Sequence, residues 1–207
     1  MRQKYIVRSL VVLAVICACL LLATDKANAH CDTMDGPVVK AAQRALAKRN
    51  VNLVLIWVQK KDEAEIKQRF LQTLAVRRLN RTAKELADNY FFETLVRLHR
   101  AGEGESYTGL KPSGTDLGPV IPAADKAFQA GSAEALLKLF PVPARRDIEI
   151  RFADAISKKR FDENNVEAGR QYVNAYITFM HHVEHLYEES HKGERTGTAR
   201  QELRPEL

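Results

Sequence analysis

The sequence predicts an all-α protein, a helical bundle with additional short helices and one long glycine-rich loop. Three observations support this fold class. Apolar residues between positions 37 and 191 recur mainly three and four apart, which is the period of an amphipathic helix. Residues that favour helix starts and stops bound these stretches. One stretch, 51–58 (VNLVLIWV), is rich in β-branched residues, but no second stretch could pair with it as a strand.

Start and stop signals set the order of the predicted elements. Pro37 suits the first turn of a helix, and Asn80 suits an N-cap because its side chain can accept a hydrogen bond from a free amide. Gly102 suits a helix end. Residues 51–58 are predicted to form a short buried helix or an extended segment. The predicted helices cover 37–49, 62–75, 81–101, 123–130, 132–140, 143–161 and 163–191, and their apolar stripes include Leu71, Leu86, Tyr90 and Ile150.

Two segments lie outside the predicted helices. Residues 102–122 contain five glycines and form the long loop, for which a plain surface connection and a lid both remain open. Two glutamates in it would repel phosphate, so it is not a phosphate-binding loop. Residues 192–207 are polar and predict a disordered tail. Because no repeat or linker divides the remainder, residues 30–191 are predicted to form one helical domain.

The first 29 residues have the three parts of a secretory signal peptide. Three basic residues lie among the first eight, and an apolar run at 10–23 is too short to cross a bilayer comfortably. The small residues Ala27-Asn28-Ala29 then supply a cleavage site. We therefore expect residues 1–29 to be removed and the protein to be exported, to the periplasm or the extracellular space. Contact with a membrane is expected only through the signal before cleavage.

Removal of the signal changes both the charge and the cysteine content. The signal carries four Lys or Arg and one Asp, so the remaining chain has 28 basic against 25 acidic residues, a net charge of +3. This weak, mixed charge argues against a nucleic-acid-binding protein. Of the three cysteines only Cys31 is left, and a lone thiol in an oxidising compartment cannot form an internal disulfide. It must be free, linked to another chain or bound to a ligand.

Cleavage before His30 would place several metal donors at the new chain end. The free α-amine and the imidazole would come from His30, and an amide nitrogen and a thiolate from Cys31. Asp32 or Asp35 could add an oxygen ligand. Divalent nickel and copper favour nitrogen and sulfur donors in square-planar arrangements. The sequence therefore predicts that a nickel or copper ion binds at His30 and Cys31, and that domain 30–191 is a metal-binding domain.

The pattern His30-Cys31-Asp32-x-x-x-Gly36 resembles the nickel hook of nickel-containing superoxide dismutase, which is also made by processing and carried on a helical bundle. The resemblance implies that His30 gives the amine and an axial imidazole, that Cys31 gives its amide nitrogen and thiolate, and that both residues are catalytic. Asp35 stands where that family has a second thiolate. The whole chain also resembles an uncharacterised family of exported helical proteins that begin HCDxxDGPVV and carry stretches like ETLVRLHRAGEG and YVNAYITFMHHVEH.

A second candidate metal site lies near the end of the last predicted helix. His181 and His185 are four residues apart and can lie over one another on a helix, with Glu184 beside them. The string also matches H-x-x-E-H, an inverted zinc-protease signature that needs a third ligand and a cleft. A solvated histidine cluster explains the spacing of His181 and His185 as well as a metal site does, and both explain it better than a protease does. His99 and Glu103, at the end of an earlier helix, are placed hypothetically near His181 and Glu184.

These patterns predict an exported helical protein that binds nickel or copper, with superoxide dismutase-like redox activity as the candidate enzymatic function. A non-enzymatic metal carrier or sensor is one alternative, and a plain helical interaction domain is another. The expected partner is the metal ion, and the sequence leaves open a small-molecule substrate and a homo-oligomer.

Overall fold

The computed structural model describes the backbone of residues 30–201 and the side chains of residues 30–191. The predicted signal peptide, 1–29, and residues 202–207 lie outside the described residues. The described part is all-α, as predicted, and holds α1 (Pro37–Lys48), α2 (Asn52–Leu55), α3 (Glu63–Val76), α4 (Arg81–Glu103), α5 (Val120–Ala130), α6 (Glu134–Leu137), α7 (Val142–Lys158) and α8 (Val166–Gln201), with 3-10 turns at His30–Asp32 and Lys60–Asp62.

Three helix pairs form most of the bundle. The two long helices α7 and α8 pack along each other, α3 and α4 form a hairpin, and α1 lies against α4. The short helices α2 and α5 close the bundle against α8. Phe128 of α5 is central to this closure, because its ring contacts Phe152 of α7 and both Tyr176 and Phe179 of α8 with centroids 4.9–5.3 Å apart. Aromatic packing of this kind stabilises helix crossings beyond simple burial.

Local signals placed several elements correctly. The Asn80 side chain accepts a hydrogen bond from the amide of Ala83 at 2.8 Å, which confirms it as the N-cap of α4. Residues 53–58 are buried, and the apolar stretch at 51–58 holds the short helix α2, Asn52–Leu55, followed by turns. Gly104, with φ of 79°, is the C-terminal cap of α4 in place of the predicted Gly102. Left-handed backbone favours glycine because it has no Cβ.

Some predicted boundaries and burials were wrong. Because α5 begins at Val120, the glycine-rich loop covers 104–119 instead of 102–122. Helix α8 begins at Val166 and continues past the predicted end at 191 to Gln201, so the residues predicted to open the tail are helical. Four residues assigned to apolar stripes are exposed, by 51–68%: Leu71, Leu86, Tyr90 and Ile150. Their helices carry apolar residues on more than one face, and periodicity does not say which face is covered.

Candidate functional site

The predicted N-terminal site lies in the interior of the protein. His30, Cys31 and Asp32 form a 3-10 turn, and each side chain is less than 10% exposed. The glycine-rich loop holds this turn in place. The amide of Lys111 donates to the carbonyl of Asp32 at 2.8 Å, and the amide of Met34 donates to the carbonyl of Lys111 at 3.0 Å. The loop is therefore hydrogen-bonded across the turn and holds it in place. From the sequence, a plain surface connection and a lid had both remained open for this loop.

Gly36 lets the chain fold back on this turn before α1 begins. A Cβ at Gly36 would overlap the backbone carbonyl oxygen of His30 and lie 2.9 Å from the Thr33 hydroxyl. The Thr33 hydroxyl itself donates to that carbonyl at 3.2 Å. The glycine is thus required by close approach, since its backbone angles are ordinary.

We expect Gly36→Ala to lower the free energy of unfolding by about 1–3 kcal/mol, because the added methyl group forces the His30 turn outward. Urea denaturation followed by circular dichroism measures this loss. Lys40→Ala, at an exposed position on the same helix, is the matched control and should change stability little. Equal effects of the two substitutions would contradict the proposed close packing.

His30 is oriented by a carboxylate on α5. Its Nε2 lies 2.9 Å from Asp125 Oδ2, and the Tyr176 hydroxyl donates to Asp125 Oδ1 at 3.0 Å. One carboxylate thus links the N-terminal turn, α5 and α8. A neutral imidazole that donates from Nε2 keeps the lone pair of Nδ1 as its acceptor. This hydrogen bond therefore leaves Nδ1 as the ring nitrogen of His30 that could bind a cation.

The predicted N-terminal and C-terminal candidate residues meet at one small cavity. The volume that the centre of a water-sized sphere can reach is ≈ 10 Å³, so the cavity has room for roughly one water molecule. His30 and Cys31 border it from the N-terminal turn, and His181 and Glu184 border it from α8. The remaining lining residues are Arg100, Ile121, Ile177 and Met180.

Arg100 is a buried cation beside this cavity. Its side chain is 3% exposed, and its guanidinium lies 3.2 Å from Glu103 and 3.6 Å from Asp32. Glu105, at the edge of the group, is 3.7 Å away. Burying an arginine is costly unless carboxylates compensate its charge. The acids around Arg100 are Asp32 in the turn, Glu103 at the end of α4 and Glu105 in the loop just after it.

Burial shifts the ionisation of the groups around the cavity toward their neutral forms. The pKa of the Cys31 thiol is raised well above its usual range by burial, with Glu103 adding to the effect. Burial and the nearby charge of Glu188 raise the pKa of Glu184 to about 8. The pKa of His181 is lowered by burial and by Arg100. At neutral pH the cavity therefore holds a thiol, a carboxylic acid and a neutral imidazole.

His99 is buried on the same helix as Arg100. Its Nδ1 lies 2.9 Å from the carbonyl oxygen of Trp57, and its Nε2 lies 3.4 Å from Glu103. Burial lowers the pKa of His99 to about 4, and the positive charge of Arg100 contributes. His99 does not border the cavity, so its grouping with His181 and Glu184 stays a hypothesis. The hydrogen bond to Trp57 makes His99 a structural histidine that joins α4 to the segment after α2.

His99 by itself makes the folded state less stable in acid, and this contribution is opposed by Glu103 and Glu184, whose pKa values are raised to about 7 and about 8. The unfolded chain takes up a proton at His99 below its ordinary pKa of 6.5, whereas the folded chain does so only near 4. Between these values the unfolded state binds more protons at His99, so the contribution of His99 to stability falls as the pH falls. From pH 7 to pH 5 the loss is on the order of 2 kcal/mol.

We expect His99→Gln to remove this contribution, so that from pH 7 to pH 5 the variant loses about 2 kcal/mol less of its free energy of unfolding than the unmodified protein, measured by urea titration at each pH. His185→Gln, at an exposed histidine, is the control and should leave the pH dependence unchanged. The role assigned to His99 would be wrong if both variants kept the slope of the unmodified protein.

A family model matches residues 35–182, and its description is "Family of unknown function (DUF6448)". The chain belongs to DUF6448. This confirms the predicted membership of an uncharacterised family. The comparisons give no support to the resemblance to nickel-containing superoxide dismutase. No curated protein and no solved structure matches the chain.

The DUF6448 match covers only part of the cavity. It includes Arg100 and His181, whereas His30 and Cys31 precede it and Glu184 follows it. The fold therefore places the N-terminal turn and Glu184, which lie outside the matched residues, at the same cavity as Arg100 and His181.

Four predicted ligands of this DUF6448 protein do not border the cavity: the buried His99 described above, Asp35, His185 and Asp32. Asp35 is exposed, and its carboxylate accepts a hydrogen bond from the amide of Gly114 at 3.1 Å, so it anchors the loop. His185 is exposed and lies 3.5 Å from Glu189. Asp32 is buried, but it faces Arg100. Of the two histidines four residues apart on α8, His181 borders the cavity and His185 does not.

Sequence reasoning missed Arg100, Asp125 and Tyr176. A signal was present for Arg100, which follows Phe92 and Val96 at four-residue spacing and so continues a buried stripe. Asp125 sits next to the buried Ala124 on a short apolar helix, which is a weak signal. Tyr176 was assigned to the apolar stripe of the last helix, and its hydroxyl contact could not be inferred without the position of α5.

The side chains alone do not complete a metal site. Among the described residues, no group of three or more His, Cys, Asp or Glu side chains is close enough together to hold one ion. The donors that border the cavity include a pair of histidines, a thiol and a carboxylate, which are chemically suited to a transition metal. Binding would need further donors from the backbone.

Proposed function

We propose that this protein is an exported metal-binding protein that holds a nickel or copper ion at His30 and Cys31 after removal of residues 1–29. One observation carries the proposal. Two sets of donors that the sequence nominated separately, His30 with Cys31 and His181 with Glu184, border the same buried cavity. These residues come from opposite ends of the segment 30–191, and the fold brings them to one point.

Cleavage before His30 would supply the donors that the side chains lack. The new α-amine and Nδ1 belong to one residue and can close a chelate ring, while Nε2 stays bonded to Asp125. Outer partners of this kind orient a metal-binding histidine and fix its tautomer. Cys31 adds a backbone nitrogen and a thiolate. The ion supplies Lewis-acid or redox chemistry when bound, and the chain orients and buries its donors.

Two groups at the cavity can lose a proton when a cation binds, beside the fixed positive charge of Arg100. Cys31 and Glu184 are both held in their neutral, protonated forms by burial. A metal ion that displaces these protons would stabilise the thiolate and the carboxylate together, and binding would release protons. Affinity for the ion should therefore rise with pH.

The geometry favours a carrier or a sensor over a dismutase. In the nickel hook that the sequence resembles, a second thiolate occupies the position of Asp35. Here Asp35 is exposed and engaged with the glycine-rich loop. A single buried thiolate can hold nickel or copper, but the ligand that tunes the hook for superoxide has no counterpart among the residues that border the cavity.

The intact mass of the exported protein tests the first step, because the proposal needs a chain that begins with His30. Elemental analysis of protein purified without a tag tests the second, and we expect one nickel or copper ion per chain. A different first residue, or a correctly cut chain that binds neither metal, would rule the proposal out. Superoxide consumption by the loaded protein, with Cys31→Ser as the control, separates a dismutase from a carrier.

A further inference from the structure

The α3–α4 hairpin carries an apolar surface that the fold leaves open. Of the seven large apolar side chains exposed in the described residues, five belong to this hairpin, and the other two are Val142 and Ile150 of α7. A groove between α3 and α4 is lined by Gln72, Thr73, Val76, Leu86, Ala87 and Tyr90. We name Val76, Leu79, Leu86 and Tyr90 the hairpin patch.

The hairpin patch projects from the protein. Leu79, in the turn between the helices, is 69% exposed, and Leu86 on the first turns of α4 is 68% exposed. Helix α1 packs against α4, but the contacts of α3 are made chiefly with α4 and the 3-10 turn before it. Clustered exposed apolar side chains of this kind mark an interaction site more often than scattered ones do.

Two basic residues, Arg69 and Arg78, adjoin the hairpin patch. Residues 69–90 include five Lys or Arg and two Asp or Glu, and the other three basic residues pair with those acids: Arg77 and Lys84 with Asp88, and Arg81 with Glu85. Arg69 lies over the ring of Tyr90, with its guanidinium carbon 5.8 Å from the ring centroid. Arg78, next to Leu79, is exposed and forms no ion pair with any residue whose side chain is described. Pairing of two copies through this face would bring the same positive fringes together, which disfavours a dimer.

We infer that the hairpin patch docks on a lipid surface that carries anionic headgroups. Leu79 and Leu86 would enter the boundary between headgroups and acyl chains, while Arg78 and Arg69 would meet the headgroup phosphates. Protruding apolar side chains with adjacent Lys or Arg bind such surfaces through buried area and electrostatic attraction together. An acidic protein would match the charge, but leucines exposed by more than two thirds suit insertion better than a preformed binding cleft. This inference is independent of metal binding, and it departs from the expectation that contact with a membrane occurs only through the signal before cleavage.

Co-sedimentation of the exported protein with lipid vesicles tests the inference. We expect binding to vesicles of phosphatidylglycerol mixed with phosphatidylcholine, weakened by salt, and little binding to vesicles of phosphatidylcholine alone. Leu79→Asp should reduce binding about tenfold, and Arg78→Glu should reduce it at least about fivefold. Ile150→Asp, at a comparably exposed apolar position on α7, is the matched control and should bind like the unmodified protein.

The inference is overturned if the protein ignores the anionic vesicles at low salt, binds both kinds of vesicle equally, or binds equally well with Leu79→Asp. Binding to an immobilised acidic peptide without binding to vesicles would also overturn it, and would assign the patch to a protein partner. Circular dichroism of each variant confirms that the helices are retained, since both tested positions are exposed.

Discussion

Replacing Cys31 with serine is expected to lower the affinity of the exported protein for nickel or copper by roughly 100-fold, the scale of losing one strong ligand. The hydroxyl of serine does not ionise in this buried position and is a poor ligand for these ions. Competition with a coloured chelator measures the affinity. The metal-loaded protein should also lose any absorption band that depends on a thiolate ligand.

Asp35→Asn is the matched control for Cys31→Ser. Asp35 is five residues from His30 and carries a nominal donor, but the structure engages it with Gly114 away from the cavity. The control should therefore bind the metal like the unmodified protein. If Cys31→Ser bound nickel and copper as tightly as the control, the proposed site would be wrong. A fall in both variants would instead assign Asp35 to the site and revive the resemblance to the nickel hook.

Replacing Arg100 with alanine is expected to lower the free energy of unfolding by about 3–5 kcal/mol, because it leaves buried carboxylates without their cation. Asp32 and Glu103 both face the guanidinium, and Asp32 is 3% exposed. Urea denaturation near neutral pH measures the loss. Adding Asp32→Asn to Arg100→Ala should restore part of it, since the second change removes one of the uncompensated charges.

Arg97→Ala provides the comparison on the same helix. Arg97 lies one turn earlier, is about half exposed, and pairs with Glu65 at 3.2 Å. Exposed pairs of this kind contribute about 0–1 kcal/mol, so the loss should be small. Equal losses from Arg97→Ala and Arg100→Ala would contradict the role given to the buried cluster. A double variant no more stable than Arg100→Ala would show that Asp32 is not the partner that needs the cation.

Local chemistry made much of the fold predictable. The Asn80 cap and the first turn at Pro37 are decided by residues within a few positions of one another, and both were located from the sequence. The apolar stretch at 51–58 was left between two interpretations, because β-branched residues favour strands unless packing overrides them. Within the described residues no strand partner exists, and α2 is a helix that packs against α1 and α8.

Burial was less predictable than helix formation. Leu86 and Tyr90 belong to an apolar pattern that fits a core-facing stripe, yet they are exposed in the hairpin patch. Arg100 is the opposite case. A charged residue is expected at the surface, but Arg100 is buried. Both cases depend on which helix covers which face, and that information is not contained in the periodicity of a single helix.

By itself the sequence determined that the chain is helical and where most helices start, and it nominated His30, Cys31, His181 and Glu184 among eight candidate metal ligands. Only the tertiary structure decided that these four border one cavity, that Arg100 borders it too, that Asp125 bonds to His30, and that Asp32, Asp35, His99 and His185 lie outside the cavity lining. The physical reason is the distance along the chain over which the deciding interactions act. Helix formation depends on neighbours within a turn or two, whereas a cavity between the first turn and the last helix depends on how the whole bundle packs.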